Sequence, residues 1–167
     1  MEDRRLSNPV ELDPKQYDPA LGLLKNIEFL DGVPDDILKS ILPKLQYQQF
    51  PKSAKILFQG EIANRLFLVC KGSVVITAKE KGKSFHLAEL KPPQYFGEIS
   101  LLRPTSATAT VTAGEEGANV LILTYEVFQT VLVLKIPDIK ERLQKVIDAR
   151  LAQKKQVKDA ENQEQPE

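Results

Sequence analysis

The stretch Phe96-Gly97-Glu98-Ile99-Ser100-Leu101-Leu102-Arg103-Pro104-Thr105-Ser106-Ala107-Thr108-Ala109-Thr110-Val111 decides how the rest of this chain is read. It opens as a short apolar turn of helix at Gly97 and Glu98, passes through a Pro/Thr/Ser loop, and ends in a strand alternating in character from Ala107 to Ala113. A helix that starts at a glycine leaves backbone N–H groups unpaired at its positive end, which suits a small anion.

Around this stretch, short strand-like runs recur at 47–50, 55–58, 65–70, 73–79, 84–90, 107–113 and 118–124. Turn signals separate them at 51–53, 59–61, 71–72, 81–83 and 114–117. Many short strands with glycine turns predict a mainly β fold, a sandwich or jelly-roll barrel. Helices flank it. On the N-terminal side Asp35 and Asp36 open a helix in which Ile37, Leu38, Ile41, Leu42 and Leu45 recur at helical spacing, with Pro43 ending or kinking it. On the C-terminal side a helix over 126–132 turns Phe128, Val131 and Leu132 inward, and a second begins near Asp138 after Pro137. Ile139, Leu143, Val146, Ile147 and Leu151 line one face of that second helix, and Lys140, Glu141, Arg142, Lys145, Asp148 and Arg150 lie around it.

Three segments together resemble the cyclic nucleotide-binding domain family. The first is Phe96 to Leu102 followed by Ala109-Thr110-Val111, which resembles that family's phosphate-binding cassette. The second, 57–76, is similar to its first barrel half, with tight-turn glycines at Gly60 and Gly72, and the third, 26–38, to its helical lead-in. The resemblance implies a jelly-roll β-barrel of the cyclic nucleotide-binding type with N-terminal and C-terminal helices. It also implies roles. Gly97 and the neighbouring amides would hold a cyclic phosphate, Glu98 would accept the ribose 2′-hydroxyl, and the terminal helix would lid the bound base or pair two subunits. Packing of that helix against its own barrel is the alternative, since its apolar stripe covers only about two heptads. The ligand-binding set expected from the cassette is Phe96, Gly97, Glu98, Ile99, Ser100, Arg103, Ala107 and Thr108.

One position departs from the family pattern. An arginine just before the family's A-[AST]-V strand pairs with the phosphate, because its planar fork binds that group bidentately. Holding Phe96-Gly97-Glu98 and Ala109-Thr110-Val111 in register without gaps puts Ala107 there, and sliding by two residues puts Thr105 there. Neither supplies a guanidinium. Losing such a pair costs roughly 2–5 kcal/mol, about thirty- to several-thousand-fold in affinity. Arg103 is the only arginine within the cassette, placed to reach the phosphate or to stay solvated, and the Thr108 hydroxyl could meet a phosphate or a purine edge.

Composition excludes several function classes. Lys+Arg and Asp+Glu both total 23, so the formal charge is zero and nothing suggests nucleic acid or an anionic membrane as partner. A single cysteine, Cys70, rules out an internal disulfide, and it lies in an apolar run where a small buried hydrophobe is expected. His86 is the sole histidine, and no nucleophile elbow, P-loop or zinc motif is present, so no enzyme activity and no metal are expected. The absence of an 18-residue apolar run or a secretory signal leads to a cytoplasmic expectation.

The chain therefore divides into a polar extension at 1–20, loose or laid over the domain, a domain at 21–134, a C-terminal helix at 135–152 and a polar tail at 153–167 that should fray. The expected function is a non-enzymatic regulatory module with weak or lost binding of cAMP or cGMP. It would act through another protein, with a homodimer through the terminal helix as one arrangement. A working cAMP or cGMP sensor and a cavity converted to another small ligand are the alternatives.

Overall fold

The computed structural model describes residues 8–164, with side chains described through Gln153. The first seven residues of the extension and the last three of the tail lie outside it. The elements in chain order are β1 (Val10–Glu11), α1 (Tyr17–Leu24), α2 (Asp35–Ile41), β2 (Gln46–Phe50), β3 (Lys55–Leu57), β4 (Ile62–Ala63), β5 (Arg65–Glu80), β6 (Lys83–Leu90), β7 (Tyr95–Phe96), α3 (Ile99–Leu102), β8 (Thr105–Ser106), β9 (Thr110–Thr124), α4 (Tyr125–Val127), α5 (Val133–Lys135) and α6 (Ile139–Glu164). All pairings are antiparallel. The main sheet runs β1-β2-β9-β5-β6, with β3 added to β9 and β7 to β5, while β4 and β8 form a small second sheet. This is a mainly β domain of the jelly-roll type with helices on both flanks.

Two runs that read as strand pairs in the sequence are single long strands. Residues 65–79 form one strand, β5, bent where its register with β9 shifts on either side of Gly72. The 114–117 turn signal likewise lies inside β9. The reason is local. Gly72 and Gly117 both sit at φ 78°, and a Cβ on Gly72 would run into the Gly117 carbonyl oxygen. Two glycines facing each other let paired strands bend together without reversing.

Strand alternation sorts side chains into two cores. Leu66 and Leu68 of β5, Leu121 and Leu123 of β9 and Tyr95 of β7 face the helices. Phe67, Val69, Val120, Ile122 and Phe96 face the interior of the jelly roll, where Phe67 and Phe96 stack at 4.9 Å. On the helical side Phe29 takes edge contacts from Tyr95 at 6.1 Å and Phe128 at 6.2 Å. Leu38, Ile41, Leu42 and Leu45 are buried as the helical spacing requires, and α2 gives way to a tight turn at Leu42–Lys44 around Pro43.

At both ends of the described residues the chain carries more regular structure than its composition suggests. Val10 and Glu11 pair with Tyr47 and Gln46 as an edge strand, and the Asp13 side chain caps the turn that leads into α1. The extension is thus laid over the domain from residue 10 onward. The terminal helix starts at Ile139 and continues through the polar tail to Glu164. That tail holds no Gly or Pro before Pro166 and is rich in Lys, Gln and Glu, all residues that favour helix. Ile139, Leu143 and Ile147 are buried within the chain's own helical core, and Arg142 donates from Nη1 to the Asp31 carbonyl at 2.8 Å.

Candidate ligand site

The cassette takes its shape from Gly97. Its φ is 86°, and a Cβ there would lie 2.6 Å from the Arg65 carbonyl oxygen, so only glycine lets the turn approach β5 this closely. Ser100, 2% exposed, reinforces the approach, its hydroxyl lying 2.7 Å from the Gly97 carbonyl and 3.0 Å from the Arg65 carbonyl. The Ser100 and Leu101 amides bond back to Gly97 and Glu98, so both are already used within the turn.

Opposite the cassette, Ala107 is fixed by its backbone. Gly60 donates to the Ala107 carbonyl and the Ala107 amide donates to the Glu61 carbonyl, both at 2.8 Å. Gly60 is at φ 91°, as its turn requires. Glu61 is exposed but bonded, accepting from the Phe58 amide at 2.8 Å.

Between these two segments lies a cavity of about 460 Å³, within the size range of small-molecule sites. Phe96, Gly97, Glu98, Ile99, Ser100, Ala107 and Thr108 all line it. Arg103 does not. It ends α3 in extended conformation, exposed, outside the lining residues. His86 is also exposed and off the cavity wall.

The wall contains residues that reading the sequence left out. Ile76, Leu87 and Leu90 form an apolar side, and Arg150, Leu151 and Gln153 of α6 complete the enclosure. Arg150 had a visible signal: it falls seven residues after Leu143, two helical turns on, and so shares the inner face of α6. Its guanidinium donates from Nη1 to Glu98 Oε1 at 2.9 Å and to the Tyr95 carbonyl at 3.0 Å, and it rests 4.2 Å from the centre of the Tyr95 ring. The Glu98 side chain is only 10% exposed. A carboxylate so buried needs such a partner. Among the described lining residues, Arg150 is the one cation, against Glu98 and Glu89.

Tyr95 ties this corner to the lead-in, its hydroxyl donating to Glu28 Oε1 at 3.3 Å. Burial raises its pKa above the usual 10.0, outweighing the lowering influence of Arg150. No group of three or more His, Cys, Asp or Glu placed to hold a metal occurs among the described residues. No described helix is long and apolar enough to cross a membrane.

Comparison with known proteins agrees with this geometry. Human cGMP-dependent protein kinase 2 is 28% identical over 134 residues, covering 78% of this chain and 17% of the kinase. The cAMP-activated global transcriptional regulator CRP of Salmonella typhimurium is 27% identical over 118 residues, 70% of this chain and 56% of the regulator. The chain thus spans only part of the curated relatives it matches. A cyclic nucleotide-binding domain from Methylobacillus flagellatus superimposes with a TM-score of 0.75 at 15% identity, over 96% of this chain and 90% of that one. The catabolite activator protein of Thermus thermophilus does so at 0.69 and 25%, over 81% and 63%. The model of the cyclic nucleotide-binding domain matches residues 47–133, from β2 through the cassette to α5. By that match, and by the jelly roll that carries it, the chain belongs to the cyclic nucleotide-binding domain family.

Proposed function

We propose that this chain is a non-enzymatic regulatory module that takes a 3′,5′-cyclic nucleotide weakly in the cavity between Gly97 and Ala107 and signals through contact with another protein. The carrying observation is the buried Glu98 carboxylate on the cavity wall, beside a helix that encloses the same cavity. A carboxylate there suits a ribose hydroxyl donor, and the apolar wall of Ile76, Leu87 and Leu90 suits a base. The relatives named for cGMP and cAMP support the ligand class. Weakness follows from Ala107, whose methyl group offers a phosphate no charge where the family places an arginine. The α6 helix is the element through which a ligand would be felt outside the domain, since one end of it packs in the core and a later turn meets the cavity.

A thermal melt tests the reading. At about 1 mM, cAMP or cGMP is expected to stabilise the domain by about 0.4–3 kcal/mol, raising Tm by about 1–10 °C. A flat Tm with both nucleotides would remove cyclic nucleotides as its ligands and leave protein contact as the function.

A further inference from the structure

We infer that Arg150, on the enclosing helix, is the anion-binding residue of this cavity, doing from α6 what no side chain does from the Ala107 position. The inference rests on the reading of the cavity as a cyclic-nucleotide site. Three observations carry it. First, Arg150 is the one cation among the described residues that line the cavity. Second, it sits against the carboxylate that would take the ribose: Nη1 is 2.9 Å from Glu98 Oε1. In a 3′,5′-cyclic nucleotide the phosphate is esterified at O3′, next to the 2′-hydroxyl. A ligand donating that hydroxyl to Glu98 therefore carries its phosphate to the neighbourhood of the Arg150 guanidinium.

Third, the guanidinium is held ready. Its bonds to Glu98 and Tyr95 both come from Nη1, and the Tyr95 ring supports its face. Nε and Nη2 make no bond to a described residue, and a guanidinium presents its five donors as a fixed fork that matches phosphate oxygens. Without Arg150, the charges on the wall are Glu98 and Glu89, both repelling an anion. Placing the cation on α6 also has a consequence for signalling: the ligand's charge is read by the terminal helix and not by the β8–β9 segment.

The test is calorimetric titration of cAMP into the full chain, Arg150→Gln and the double variant Arg150→Gln/Ala107→Arg, each checked for its circular dichroism melt. Arg150→Gln is expected to weaken binding about thirty-fold or more, and Ala107→Arg in that background to restore it, because a charge is returned to the same cavity from the other wall. Arg150→Gln binding within about threefold of the parent would overturn the assignment and leave the cyclic-nucleotide reading standing. Where Ala107→Arg alone tightens binding of cAMP by the parent, a folded double variant that does not recover would also overturn it, by showing that Arg150 serves only to position Glu98. Absence of binding by the parent chain would overturn both. Should Arg150→Gln not fold, the parent alone still decides: it is expected to bind cAMP more tightly than uncharged adenosine, and equal or tighter adenosine binding would overturn the assignment.

Discussion

Glu98 and Arg150, 52 residues apart in sequence, meet at 2.9 Å across the cavity wall, joining the cassette to the terminal helix. This pair makes the helix part of the site. It also explains how a carboxylate can stay buried in a largely apolar wall: the guanidinium offsets its charge, and the Tyr95 carbonyl and ring fix the guanidinium in place.

Placing an arginine at position 107 gives the first prediction. Ala107→Arg is expected to tighten cAMP binding by about thirty-fold or more, since its backbone is already clamped to Gly60 and Glu61 beside the cavity. Titration of the variant beside the parent measures the gain. An unchanged affinity would mean that a side chain from this position does not reach the ligand's charge.

The cassette turn itself is constrained by Gly97. Gly97→Ala combines a positive φ with a Cβ 2.6 Å from a backbone oxygen that cannot easily retreat. A loss of about 2 kcal/mol or more is expected, with Tm lower by about 4–8 °C. A variant melting with the parent would show that the turn relaxes at no cost.

Phe128 tests the helical core. It is fully buried and edge-on to Phe29 at 6.2 Å. Phe128→Ala is expected to lower unfolding free energy by about 3–5 kcal/mol, read as a lower urea midpoint at unchanged slope. A loss under about 1 kcal/mol would mean that the helices repack around the gap.

Alkaline pH should weaken the fold through Cys70. Burial pushes its thiol from the usual 9.0 up to about 11, against the lowering effect of backbone hydrogen bonds at Cys70 and Leu121. The folded chain therefore keeps this proton to higher pH than the unfolded one. The stabilisation is intact below about pH 9 and lost as pH rises toward 11. Tyr95, also raised by burial, acts in the same direction above pH 10. Melts between pH 7 and 11 should show the decline, with a shallower slope in Cys70→Ala, and thiol labelling at pH 8 should be slow in the folded chain. Equal slopes in parent and variant would exclude the Cys70 contribution.

Much of this was legible in the residues. The order Phe96-Gly97-Glu98, the recurring strands and the inward positions Phe128, Val131 and Leu132 all follow from local pattern, and the buried set agrees with them. What local pattern could not separate was a reversal from a bend: Gly72 and Gly114 to Gly117 carry turn chemistry, but pairing across β5 and β9 turns them into bulges. Arg150 shares the inner face of α6 by its spacing from Leu143, yet a cation on an amphipathic helix reads as solvated. Only the sheet and the cassette show that its position two turns beyond Leu143 faces a buried carboxylate. Similarly, Val10 and Glu11 read as a polar extension, and order comes from an open edge at Gln46 and Tyr47, which lies far along the chain.

The measurement that bears most directly on the central claim is isothermal titration of the nucleotide-stripped chain with cAMP, with cGMP in parallel. At least one of them is expected to bind with Kd between about 10 μM and 1 mM, as expected when Glu98 and one guanidinium serve the ligand without an arginine at 107. No heat from either nucleotide up to millimolar concentration would contradict the claim that the cavity takes a cyclic nucleotide, and nanomolar affinity would contradict the claim that Ala107 weakens it.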